Sequence, residues 1–102
     1  QLHRLAKRPS LALGRLGAIS SPGSGDIFVA FSTGNGGAVN EDAFNTVEQF
    51  PNNALNALFR GAVEATEEAI VNAMVAATTM TGADGLRVQE LPHDKVRVLF
   101  AE

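Results

Sequence analysis

The sequence has no cysteine, no tryptophan and no tyrosine, and it contains only two histidines. Without cysteine there is no disulfide scaffold, no thiolate nucleophile and no Cys-type zinc site. His3 and His93 stand far apart in the chain, which argues against an all-His metal site, and no cofactor or metal is expected. No apolar run approaches the ~18 residues that a membrane span needs. The early charges are not followed by the apolar core of a secretory signal. What is present is a globular composition: 45% hydrophobic and 19% charged residues exclude a disordered chain. The length of 102 residues allows one domain at most.

Charge is unevenly placed. Residues 1–25 carry Arg4, Lys7, Arg8 and Arg15 without an acid, whereas residues 26–102 sum to −7. A basic helix can meet nucleic acid or an acidic lipid surface. The plainer account is a solvated face resting on an acidic neighbour. It is favoured because no aromatic side chains interleave with the basic ones to stack bases. Neither a nucleic acid nor a membrane is therefore expected as a partner.

Residues 1 to 17 read as helical, with Leu2, Leu5, Ala6, Leu13 and Leu16 near helical spacing. Pro9 should kink this helix or divide it in two, and Gly14 and Gly17 should loosen its C-terminus. A small-residue loop over 18–25 leads into Asp26–Ser32, whose five central apolar residues suit a strand buried on both faces. Ser32 to Gly37 closes that strand with turn chemistry. Residues 38–52 are irregular. Residues 54–81 form the clearest helix, with an apolar stripe from Leu55 through Met74 and Met80 at a period of about 3.6. Gly82 is the expected stop. Leu86 to Leu91 reads as a short extended segment, and Pro92 opens a last helix with Val96, Leu99 and Phe100 on its apolar side.

One convincing strand and one long helix do not make a closed core. A strand buried on both faces must pair, because unpaired backbone groups away from water are costly. The missing sheet is expected from another chain or from further parts of this one. The same expectation attaches to the first residue, Gln1, which stands inside a helical pattern with no capping residue ahead of it.

For chemistry, the stretch Gly23-Ser24-Gly25-Asp26 is the best local candidate. Residues two apart on an extended chain point the same way, so Ser24 and Asp26 can present a hydroxyl and a carboxylate together. The flanking glycines permit unusual backbone angles and close approach of a ligand. On composition alone the favoured account is a tight turn whose Ser and Asp bond their own backbone. Glu64, Glu67 and Glu68 share a helix face but no histidine joins them, and they read as solvated. Met74 and Met80 read as core filler. His93 reads as a surface or capping residue. No phosphate loop, dinucleotide fingerprint or Gly-x-Ser-x-Gly elbow occurs.

Several stretches in order resemble one family. They are Gln1 to Arg8, Leu13-Gly14-Arg15, Gly23 to Phe28, Ala30 to Thr33, Glu64 to Met74, Thr79 to Gly82 and Leu91 to Asp94. Together they resemble the DmpA-type aminopeptidases, which include the β-peptidyl aminopeptidases. The segment 38–52 carries the resemblance least.

The resemblance implies a precursor that cuts itself into a large α and a small β subunit. The new β N-terminus is a serine or threonine whose own α-amino group serves as base. It implies an α/β fold, an α-β-β-α sandwich like that of the ornithine acetyltransferases, of which this chain is not a complete core. Residues 1–102 are then the β-subunit portion of a single αβ hydrolase domain, with the nucleophile expected upstream of Gln1. Ser24 and Asp26 match active-site positions of the family. By that match Ser24 orients the nucleophile or its amine, and Asp26 stabilises the positive charge that develops on the amine. Pro9 departs from the family pattern.

The implied activity is removal of N-terminal residues from small peptides or amides. The implied partners are the α subunit of the same precursor and further αβ units in a homo-oligomer. Two alternatives stand beside it: a catalytically silent structural subunit or remnant, and an endo-acting amidase of the same fold. A cytoplasmic location is expected, with a periplasmic one left open because any signal would lie upstream.

Overall fold

The computed structural model describes residues 1–38 and 41–101. It contains helices α1 (Leu2–Ala6), α2 (Pro9–Arg15), α3 (Leu55–Ala76) and α4 (His93–Leu99), and strands β1 (Met80–Thr81) and β2 (Arg87–Val88). A single 3-10 turn occupies Asn52–Ala54. The chain divides into two compact units, residues 1–67 and 68–102.

In the first unit, Pro9 separates α1 from α2 and stands in the first turn of the second helix. Proline is tolerated there because its missing N–H would have no intrahelical partner. Gly17 does not loosen the end of α2; it closes it. With φ at +93°, its N–H bonds the Gly14 carbonyl at 3.1 Å, and the Ala18 N–H bonds the Leu13 carbonyl at 3.0 Å. This is a Schellman cap, which satisfies carbonyls that the helix leaves open.

α1 and α2 run parallel to the first half of α3, as three successive contacts show. The Gln1 amide nitrogen reaches Asn52 Oδ1 at 3.0 Å, Arg8 lies over the Phe59 ring, and Arg15 pairs with Glu67 at 3.0 Å. Between these helices sit Ala12, Leu55 and Phe59, the buried hydrophobic residues of the described chain. Two helices running the same way need a long crossover, and residues 18–51 supply it.

The apolar run 27–31 lies within that crossover. It lines a hollow with Leu5, Ala6, Pro9 and Ala62, and Phe28 and Ala30 are half-buried. The alternate residues are bare: Ile27, Val29 and Phe31 are 85, 82 and 81% exposed. The expected strand therefore has one face on helices and no ladder partner among the described residues. Covering the three bare side chains would contribute roughly 1.5–3 kcal/mol each.

In the second unit, helix α3 stops at Ala76, short of the expected Gly82. Thr79 is taken instead by Glu90: the Thr79 N–H donates to Glu90 Oε2 at 3.1 Å and the Glu90 N–H donates to Thr79 Oγ1 at 3.2 Å. Beyond it, β1 and β2 pair antiparallel with Met80 opposite Val88 and Thr81 opposite Arg87. Asp84 (φ 57°, ψ 21°) and Gly85 (φ 74°) form the tight turn between them. Positive φ at both central residues makes this a type I′ turn, which matches the twist of a hairpin. Met80 thus stands on a strand at 67% exposure rather than in a helical core, and Met74 is also exposed. α4 begins after Pro92, and Val98, Leu99 and Phe100 are exposed. No helix is long and apolar enough to cross a membrane, among the described residues.

Candidate active site

A turn positions the Ser24–Asp26 pair. The Ser24 N–H donates to the Ser21 carbonyl at 2.7 Å, with Pro22 and Gly23 between them. Proline fits the second position of such a turn, and Gly23 occupies the third without positive φ. Neither Gly23 nor Gly25 uses the left-handed region that their sequence offered. An added Cβ at either would meet nothing within 4 Å, so both leave open space around Ser24. Backbone strain falls just ahead of the turn, at Ser20, whose φ is +49°.

Past the turn the chain extends, and the two side chains meet. Ser24 Oγ donates to Asp26 Oδ2 at 2.6 Å. Such a length belongs to a charge-assisted O–H···O⁻ bond. A serine hydroxyl has one proton, and here Asp26 takes it. Ser24 Oγ therefore meets any third group as an acceptor, polarised by the carboxylate behind it. A nearby amine or hydroxyl would donate to Ser24, with Asp26 close enough to offset positive charge. Both residues are exposed, so the site is open on this chain.

Among the described residues, several other charged side chains are engaged elsewhere. The Arg4 and Arg8 guanidiniums lie 5.1 and 4.0 Å from the centre of the Phe59 ring. Arg15 pairs with Glu67, one of the three acids that the helical pattern grouped. Of the four early cations, these three are thus engaged by α3. Phe59 was legible only as part of an apolar stripe. His93 is the first residue of α4 and is exposed.

Sequence reasoning missed one polar device. Asn35 brackets Glu48 across the crossover loop: its amide nitrogen donates to the Glu48 carbonyl at 3.1 Å, and its amide oxygen accepts from the Glu48 N–H at 2.8 Å. The bracket holds segment 47–50 against Phe31, Leu2, Leu5, Leu55 and Leu58 around a cavity of about 550 Å³. The Gln1 amide fixes the far end of the segment by donating to the Phe50 carbonyl at 2.6 Å.

Comparison with known proteins places the chain in a family. The family model described as peptidase family S58 matches residues 1–88. A β-peptidyl aminopeptidase, BapA of Sphingosinicella microcystinivorans, is 49% identical over 101 residues, which are 98% of this chain and 26% of that protein. BapA of Sphingosinicella xenopeptidilytica is 43% identical over 100 residues, 94% of this chain and 24% of that protein. The chain thus spans about a quarter of the length of these curated relatives.

Among solved structures, the L-aminopeptidase D-Ala-esterase/amidase of Ochrobactrum anthropi aligns with a TM-score of 0.82 at 40% identity, over 95% of this chain and 28% of that one. It is described as a prototype of the serine aminopeptidases and a variant of the Ntn hydrolase fold. The PH0078 protein of Pyrococcus horikoshii aligns with a TM-score of 0.78 at 36% identity, again over 95% of this chain and 28% of that one. The fold is the α/β one that the resemblance implied, present here in part. The chain belongs to peptidase family S58.

Proposed function

We propose that this chain is part of a serine-type aminopeptidase that removes N-terminal residues from small peptides or amides. The observation that carries the reading is the 2.6 Å bond from Ser24 Oγ to Asp26 Oδ2. In this reading residues 1–102 belong to the β subunit, and the nucleophile comes from the rest of the enzyme. The nucleophile is a serine or threonine at a β N-terminus, as the resemblance implies, and its α-amine is the base. The amine donates an N–H to Ser24 Oγ, which aims its lone pair at the nucleophile's own hydroxyl proton. As the hydroxyl proton moves to the amine, positive charge grows there and Asp26 offsets it. The hydroxyl oxygen attacks the substrate carbonyl, and the ammonium returns the proton to the leaving amine as the C–N bond breaks. Water then hydrolyses the ester to free the N-terminal residue and the hydroxyl.

The bare face of Ile27, Val29 and Phe31 supports a partner role. It fits a sheet completed by further chain, the α subunit included, with several αβ units assembling together. A free substrate amine separates this activity from that of an endo-acting amidase of the same fold.

The test is Ser24→Ala in the full-length protein. It is expected to lower kcat at least about tenfold with the fold unchanged, because Ser24 orients the amine and does not itself transfer the proton. Unchanged kinetics would remove Ser24 from the mechanism. Parallel assays on blocked and free-amine substrates check the exo-acting character, which requires that only the free amine is cleaved.

A further inference from the structure

We propose that Asn35 is a site of spontaneous deamidation and that its conversion unlocks segment 47–50 from the cavity beside Phe31. The proposal stands apart from the Ser24–Asp26 reading. Three observations carry it. First, Asn35 is the one asparagine in the sequence that is followed by glycine, and Gly37 follows in turn. Second, Gly36 is exposed, and a Cβ there would meet nothing within 4 Å. The peptide nitrogen after Asn35 is therefore sterically open to swing toward the side chain. Third, the Asn35 amide is the group that brackets Glu48, so its chemistry and the loop's anchorage share the same atoms.

The step balances with water alone. When the bracket opens transiently, the Gly36 nitrogen attacks Cγ of Asn35. The Cγ–Nδ2 bond breaks, and the proton from the Gly36 nitrogen leaves with the side-chain nitrogen as ammonia. A five-membered succinimide remains. Water opens it at either carbonyl to give an aspartyl or an isoaspartyl residue at position 35. Nothing is oxidised or reduced.

The product cannot rebuild the bracket. A carboxylate accepts only, so no N–H remains for the Glu48 carbonyl. An oxygen then faces that carbonyl where a donor stood at 3.1 Å. The isoaspartyl form also lengthens the backbone by one methylene and displaces the side chain from Glu48. Segment 47–50 forms one wall of the cavity and is released from that end, leaving the Gln1 contact at Phe50.

The experiment is timed incubation of the full-length protein at mildly alkaline pH, followed by peptide mapping and limited proteolysis. Position 35 is expected to lose ammonia before any other asparagine. In Gly36→Ala the loss should slow by about tenfold or more, because alanine restricts the swing that glycine permits. Gly36 has no positive φ, so that variant keeps the loop conformation. Asn35→Asp should be cleaved within 36–50 several times faster than the parent. If Asn35→Asp does not fold, the aged parent against the aged Gly36→Ala variant gives the same comparison. Retention of the Asn35 amide under conditions that convert the heat-unfolded protein overturns the proposal. Conversion without faster cleavage in 36–50 overturns the unlocking.

Discussion

The Arg8 guanidinium sits 4.0 Å from the centre of the Phe59 ring and binds the kinked N-terminal helices to the long helix. Arg4 lies over the same ring at 5.1 Å. The ring is nearly buried at 9% exposure, and Arg8 Nε is enclosed without a hydrogen-bond partner among the described residues. The face of the ring thus takes the place of a carboxylate. Phe59→Leu keeps much of the volume and removes the quadrupole. It is expected to cost about 1–2 kcal/mol, the sum of two such contacts. A double-mutant cycle with Arg8→Met should return a coupling of about 0.5–1 kcal/mol in denaturant unfolding. Full additivity would show that the ring serves only as apolar filler.

Two glycines at the end of α2, one inside the helix and one in its cap, make opposite predictions. Gly14 lies within the helix, has no positive φ, and an added Cβ would meet nothing within 4 Å. Gly14→Ala should stabilise by about 0.5–1 kcal/mol through helix propensity. Gly17 holds φ at +93° in the Schellman cap. Gly17→Ala should destabilise by about 1 kcal/mol, because the left-handed region crowds a Cβ. Thermal unfolding of the two variants side by side decides this, and equal signs would show that the cap does not set the helix end.

What could be read ahead of the structure depended on the range of the interaction. Pro9 acts on its own backbone, so the division of the first helix was legible. Ser24 and Asp26 stand two residues apart on an extended chain, so their meeting was legible too. The run Ile27 to Phe31 announced an extended segment, but a ladder needs a partner that propensity cannot supply. The hairpin was present as Asp84-Gly85 and was overridden by an alanine-rich pattern that continued the helix through Met80. The Thr79–Glu90 exchange, formed across the hairpin, wins over that pattern. The Asn35–Glu48 bracket and the Arg8–Phe59 contact arise only after a loop has closed and helices have packed. Nothing in local spacing encodes either.

The alternation along 27–31 separates two states of one face. Val29 is 82% exposed on this chain. Were it exposed in the working protein, Val29→Asp would change stability by no more than about 0.5 kcal/mol. If further chain covers it, the same substitution loses apolar burial and desolvates a carboxylate, at a cost of at least about 3 kcal/mol. The second outcome is expected for the full-length protein, with Val29→Ile as the tolerated control. Urea unfolding of the purified protein reads the difference directly.

Asp26 provides the sharpest test of the site. Asp26→Asn keeps an oxygen that can accept the Ser24 proton, so the turn and the pair's geometry should survive. On the proposed mechanism it removes the negative charge that would offset a protonated amine. The expected loss in kcat is about a hundredfold, near the lower range for preorganised electrostatic stabilisation. KM should move little, since the charge matters most when the proton has shifted. Asp26→Ala removes the acceptor as well, frees the Ser24 hydroxyl to donate elsewhere, and should cost more than Asp26→Asn. The ordering distinguishes charge from scaffolding: if Asn and Ala reduce kcat equally, charge accounts for the effect. A loss confined to KM would place the pair in substrate binding instead.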